Sequence, residues 1–298
     1  VANAVFTTKP EPSYDDLPEL RYHFPKRYIR QAEQTVGDWI VYYEPRREGG
    51  VSSPASGRQC YFATARVSRI EPDTRRNDHY YAYISDYLEF TNPVPFRDAE
   101  TFYEAGLRKP DGSTNRGRFG WNLRVIPTEE YQLICQVGFN DAAYAGPVTA
   151  PEMVLAEAPI PYGRTNRTQL LERPFRDVAF TRVVRRAYES TCAMTGLKLI
   201  NGGGRCEIEA AHLQPVAHDG PDSPRNGIAL SRTVHWMFDR GILSVSETGE
   251  ILLAKRFVPD PVRRMLNPDG KVKFPSSAAW APHPLFLRYH REHFFKGD

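Results

Sequence analysis

Cysteine is scarce in this sequence, with four in 298 residues. Cys60, Cys135, Cys192 and Cys206 are too few and too scattered to form a disulfide framework. Long apolar runs are missing as well. No stretch reaches the roughly eighteen apolar residues that suggest a membrane-spanning helix, and the amino-terminal residues lack the core of a signal peptide. These absences exclude a disulfide-stapled scaffold and make a reducing cytoplasm, with no membrane, the expected setting. Charge of one sign is also short. The 39 Lys and Arg against 36 Asp and Glu leave a net +3, too little on its own to require a polyanionic partner.

What is present divides the chain. A length of 298 residues exceeds one average domain, and 41% hydrophobic content supports ordinary cores. Residues 1 to about 30 show weak periodicity and read as an extended arm with one short helix. From Gly37 the character changes to apolar and aromatic strands: GDWIVYYEPRR, then CYFATARVSRI, then HYYAYISDYLEF. In the second of these, alternation puts Tyr61, Ala63, Ala65 and Val67 on one face. Asn92 to Pro95 ends the third, because proline cannot continue a central ladder. Residues 97–107 predict a short helix, WNLRVIP a last strand, and TEEYQLICQVG a helix with Tyr131, Ile134 and Cys135 on one side. The expectation is a small, mostly β, barrel-like domain over 1–137, an Ala-, Pro- and Gly-rich linker over 138–164, and a second domain over 165–298.

The second domain centres on EIEAAHLQPVAHDGPDSPRNGIALSRTVHWMFDRG, residues 207–241. The pattern predicts a strand ending near His212, a loop rich in Pro, Gly and Asp, a short strand over 227–230, and a helix. Ser231 stands at the N-cap position, its hydroxyl placed to accept a backbone N–H. Gly241 stands where a left-handed residue ends a helix. His235 and Asp239, four apart, share a helix face. Strand, loop and helix thereby direct His212, Asn226 and His235 toward one point. Arginines at 164, 167, 173, 176, 182, 185 and 186 crowd the approach; Arg182, Arg185 and Arg186 can follow a phosphate backbone or form a solvated helix face.

This stretch, roughly Phe175 to Lys255, resembles the HNH, or ββα-metal, nucleases, through His212 in EAAHLQP, Asn226 in RNGIAL and His235 in SRTVHWMFDRG. The resemblance implies hydrolysis of a phosphodiester bond assisted by one divalent ion, Mg²⁺ or Mn²⁺. It implies a general base at His212, a metal ligand at His235, and a loop-holding amide at Asn226 that orients His212 through a backbone contact. Two departures stand out. Many relatives carry Asp or His immediately before the base, where this chain has Ala211. The second protein ligand must then come from elsewhere, with Asp239 and Glu209 the nearest candidates, or water must take its place; a bracing role is the alternative for Asp239. Many relatives also frame this core with paired C-x-x-C motifs. Here Cys192 and the isolated Cys206 cannot assemble a four-cysteine site, and no structural zinc is expected. His218, His283, His290 and His293 fit no familiar metal spacing and are expected at the surface.

The order of strands from GDWIVYYEPRR to NLRVIPTEEYQLI is similar to the PUA-like superfamily, particularly its EVE branch. That similarity implies a barrel that holds a flipped, modified base among aromatic walls. Trp39, Tyr43 and Trp121 are the wall candidates, and Asp86 the acceptor for a cytosine amino group; ordinary core packing is the competing reading for each aromatic. The loops 46–58 and 108–118 supply basic residues for the DNA backbone. Together the two resemblances imply an α+β protein: a PUA-like β-barrel followed by a ββα-metal (HNH) domain. Its expected substrate is double-stranded DNA carrying 5-hydroxymethyl- or 5-methylcytosine, and a homodimer is expected for cutting both strands; the alternatives are an HNH nuclease that does not sense modification and, given Ala211, a catalytically inactive DNA-binding protein.

Overall fold

A computed structural model describes residues 2–8, 16–45, 59–99, 101–140 and 173–297. The chain divides into two units, Val1–Tyr144 with Pro159–Arg176, and Ala145–Ala158 with Asp177–Asp298. Residues 141–164 of the expected linker, the loop 46–58, Arg164 and Arg167 lie outside the described residues. The boundary expected at 137 falls inside the last turn of a helix.

The first unit runs β1 (Asn3–Thr7), β2 (Arg21–Pro25), α1 (Ile29–Glu33), β3 (Trp39–Glu44), β4 (Cys60–Pro72), β5 (His79–Pro95), β6 (Arg97–Asp98), β7 (Thr101–Phe102), α2 (Arg116–Phe119), β8 (Leu123–Ile126) and α3 (Thr128–Gly138). Six strands form one sheet in the order β2-β5-β4-β3-β1-β8. The expected arm is therefore two sheet strands, with β1 lying between β3 and β8. Ala4, Val5 and Phe6 are fully buried, so β1 is a short apolar run without the alternation that marks a half-exposed strand. Instead of one helix, residues 97–107 form the small ladder β6–β7 and a 3₁₀ turn, Ala105–Leu107.

The sheet curls, and its edges β2 and β8 do not pair to close a barrel. The Tyr22 hydroxyl on β2 bonds the carbonyls of Thr7 at 3.0 Å and Asn122 at 2.8 Å, beside the opposite edge. One tyrosine thus joins the two borders. The long β4–β5 ladder carries three register shifts, and each bulge adds twist. The first separates Tyr61 from Ala63, which corrects the expected common face. Phe62, Ala63, Ala65 and Val67 join one core, whereas Tyr61 donates to Glu104 at 2.6 Å. Strand β5 also runs through Pro93 and Pro95. Its partner β2 pairs only with residues 79–83, so the prolines fall where one edge of β5 carries no ladder. On the α3 side, burial pushes the Cys135 thiol up to about 12, leaving it an inert packing residue.

The second unit continues α4 (Arg173–Ala187), whose first turn belongs to the first unit, into β9 (Glu209–His212), β10 (Gly227–Leu230), α5 (Arg232–Asp239), β11 (Leu243–Val245), β12 (Ile251–Leu253), α6 (Asp260–Arg263) and α7 (Pro284–His293). Its core gathers Phe180, Val184, Ile208, Ala211, Ile228, Val234, Phe238, Leu243 and Phe286. Ser231 is the N-cap of α5, but its side chain makes no capping bond. Glu207 does this instead, accepting from the Arg232 amide at 2.8 Å. Gly241 takes the expected left-handed conformation, φ +67°, and a Cβ there would lie 1.8 Å from the Phe294 carbonyl oxygen. His290 is not at the surface as expected. It is 3% exposed and stacks on Phe238 with ring centroids 3.7 Å apart. Burial pushes its imidazole down to about 4.

Candidate active site

His212 closes strand β9 directly opposite Gly227 on β10. A Cβ at Gly227 would lie 2.6 Å from Val184 of α4 and 3.1 Å from Phe180. The glycine lets α4 approach, and Phe180 then stacks on the His212 ring with centroids 3.8 Å apart and 13° between planes. Nε2 of His212 lies 2.9 Å from Asp222 Oδ1. The Asp222 side chain is 1% exposed against 17% for His212. A carboxylate thus fixes one ring nitrogen from beneath while the imidazole stays accessible.

Asn226 is fully buried and spends its side chain on the loop between the strands. Its Oδ1 accepts from the Gln214 amide at 2.8 Å, and its Nδ2 donates to the carbonyls of Gln214 and Pro221, each at 2.9 Å. An amide suits this because it donates and accepts without changing charge. The side-chain contact on His212 comes from Asp222 rather than from Asn226. Asn226 reaches the neighbouring residue, its carbonyl accepting from the Leu213 amide at 2.9 Å.

His235 on α5 has a carboxylate at each ring nitrogen. Nδ1 lies 2.8 Å from Glu209 Oε2, and Nε2 lies 3.4 Å from Asp239 Oδ1. Asp239 first, then Glu209, hold the imidazole above the ordinary histidine value, against burial, which lowers it. Arg232 occupies the other Glu209 oxygen at 3.1 Å. Ala211 is 1% exposed and part of the core. A ligand at that position would point into packed side chains, and the carboxylate on β9 comes from Glu209 instead.

This donor set fits a divalent ion. Glu209 can hold Nδ1–H, which leaves the Nε2 lone pair beside Asp239, the carboxylate–histidine–metal arrangement that fixes a tautomer. Adjacent ligands of an octahedral ion at about 2.1 Å stand roughly 3 Å apart, close to the 3.4 Å between Nε2 and Asp239. Glu209 is the poorer ligand because Arg232 already neutralises it. Among the described residues no group of three or more His, Cys, Asp or Glu side chains is arranged to hold a metal. Two protein ligands with water and phosphate oxygens is the usual habit of Mg²⁺.

Residues 192–246 match the family model described as HNH endonuclease. The second unit carries an HNH endonuclease domain. HNH domains are phosphodiester-hydrolysing nucleases, and the matched span contains His212, Asp222, Asn226, His235 and Asp239. No curated protein matches the sequence. Two solved structures are similar to the chain. The modification-dependent TagI restriction endonuclease shows 12% identity and a TM-score of 0.32, over 97% of this chain and 81% of that one. The type IV phosphorothioation-dependent restriction endonuclease ScoMcrA shows 14% identity and a TM-score of 0.22, over 78% of this chain and 46% of that one. Likenesses this low decide neither fold nor function.

His212 and Asn226 share the loop, His235 and Asp239 share the helix face, and the two imidazoles have separate partners. Asp222 escaped the sequence reading; its only signal was its place in the loop four residues before Asn226. On α4, Arg185 donates Nε to the Ile208 carbonyl at 2.8 Å, so it braces the start of β9, while Arg182 is half-buried and Arg186 exposed. The residues expected to form a base pocket differ in exposure. Trp39 is 3% exposed and Tyr43 is fully buried, because both fall on a strand covered on each face. Trp121 is 49% exposed, with the Arg118 guanidinium 5.6 Å from its ring centroid. Asp86 takes a left-handed φ of +52° in β5, and Arg176 donates to its carbonyl at 3.1 Å.

Proposed function

We propose that this chain is a modification-dependent DNA endonuclease. Its HNH domain hydrolyses a phosphodiester of double-stranded DNA, and its first unit reads a flipped 5-hydroxymethyl- or 5-methylcytosine. The observation that carries the nuclease half is the pairing of each imidazole with its own carboxylate, His212 with Asp222 and His235 with Asp239.

With Nε2–H of His212 donated to Asp222, Nδ1 is the acceptor for a water proton. The water attacks phosphorus in line, and the 3′ oxygen departs on the opposite side. His235 and Asp239 would hold a Mg²⁺ or Mn²⁺ ion, which when bound would polarise the phosphoryl group and offset charge on the departing oxygen. Asn226 keeps the loop closed so that Asp222 stays under His212. Arg182 and Arg186 can meet the phosphate backbone. One such site nicks one strand, so a double-strand break needs two copies, and a homodimer follows.

The reading of a modified base rests on the PUA-like pattern and on Trp121, whose exposed ring can stack on an extruded base. The burial of Trp39 and Tyr43 favours a second reading, in which the first unit binds DNA without sensing modification. Matched plasmids with and without 5-hydroxymethylcytosine or 5-methylcytosine, incubated with Mg²⁺ or Mn²⁺, separate the two. Selective cutting of modified DNA is expected; equal cutting of both establishes the second reading, and cutting of neither rejects both.

A further inference from the structure

Helix α5 places its apolar residues Val234, Met237 and Phe238 against the core. Trp236 lies on the opposite side and is 53% exposed. A single exposed aromatic is ordinary; its neighbours make this one specific. Arg232, Trp236 and Arg240 fall at i, i+4 and i+8, one stripe of the helix, and all three are exposed. That stripe runs beside the one carrying His235 and Asp239. The Arg240 guanidinium sits 4.4 Å from the Trp236 ring centroid, and its Nη1 donates to the Trp236 carbonyl at 3.4 Å. Arg232 is fixed through Glu209, the same carboxylate that holds His235. A flat ring is thus presented between two cations, next in sequence to the metal-ligand imidazole. Cations suit phosphates, and an aromatic face suits a nucleobase.

We propose that Trp236 stacks on a base of the strand flanking the scissile phosphate, wedging beside it while Arg240 backs the ring. This rests on the HNH nuclease reading and adds a substrate contact to it. Stacking holds the nucleotide next to the metal-ligand pair without reading its sequence, because every base has a π-face. Aromatic wedges of this kind unstack a base step and bend the duplex around it.

The test is equilibrium binding of a fluorescent duplex to full-length His212→Ala protein, with and without Trp236→Ala or Trp236→Phe, over a range of salt concentrations. Thermal melting of each variant confirms folding. Trp236→Ala is expected to weaken binding about 5- to 150-fold, the equivalent of about 1–3 kcal/mol for one stacked base. The slope of log affinity against log salt should stay unchanged, because no phosphate contact is lost. Trp236→Phe should recover most of the loss. Equal affinity of folded Trp236→Ala and its parent overturns the proposal, as does a loss accompanied by a shallower salt slope. If the His212→Ala parent itself binds no DNA, the nuclease reading fails together with this one.

Discussion

At the residue scale, the buried carboxylate beneath His212 makes the most exacting claim. Asp222→Asn keeps the shape and volume of the side chain, and its amide can present either a donor or an acceptor to Nε2. It therefore no longer dictates which ring nitrogen carries the proton. Orienting partners of this kind are worth about 10- to 100-fold. The expected result is a kcat lower by that factor with KM nearly unchanged. An unchanged kcat would leave Asp222 a structural residue only. Asp222 was not legible in the sequence because nothing in HDGPDSP ranks one acidic loop residue above another. His212, Asn226 and His235 stood out as candidates because strand, loop and helix signals fix their order and spacing, and the structure places them on those elements. Trp39 and Tyr43 misled for a related reason: alternation assigns a face, but it does not tell a covered face from an open one.

At the scale of elements, α7 ties itself to the HNH core through a histidine that burial keeps neutral. Nε2 of His290 bonds the Phe238 carbonyl at 3.2 Å, and Nδ1 lies 2.9 Å from the Ser244 hydroxyl. The folded value of about 4 lies below the ordinary 6.5. Above pH 6.5 neither state binds the proton, and the full stability is present. As pH falls from about 6.5 to about 4, the unfolded chain takes up a proton that the folded one refuses, so stability declines by up to about 3 kcal/mol. Thermal melting at pH 7.5 and 5.0 should show a drop in Tm that is smaller in His290→Gln. An equal drop in both proteins would remove His290 as its source. The C-terminal histidines read as surface because their spacing fits no familiar metal site, and spacing alone does not show which of them a helix turns toward the core. Helix α5 was legible nearly to its ends, Gly241 included, yet its cap was not. Glu207 reaches the Arg232 amide from across the hairpin, a contact that no local window contains.

For the whole molecule, the division into a β-rich first unit and an HNH-bearing second unit follows from the change in pattern along the chain. The curl of the first sheet did not. It depends on Tyr22 joining opposite edges and on bulges in β4 and β5, and a bulge leaves almost no trace in residue type. Strand β1 stayed hidden because a five-residue strand with its first four residues buried shows no period. Hydrolysis belongs to the HNH domain alone, whereas the proposed modification dependence would need both units.

The account depends most on His212 acting as the base at a phosphate that the ion at His235 and Asp239 also engages. Single-turnover cleavage of a duplex with Mg²⁺ or Mn²⁺, compared between wild-type and His212→Ala protein at matched DNA occupancy, tests this directly. The expected result is a loss of cleavage of about 100-fold or more, in line with the usual contribution of a general base, with DNA affinity unchanged. Cleavage by His212→Ala at the wild-type rate would contradict it.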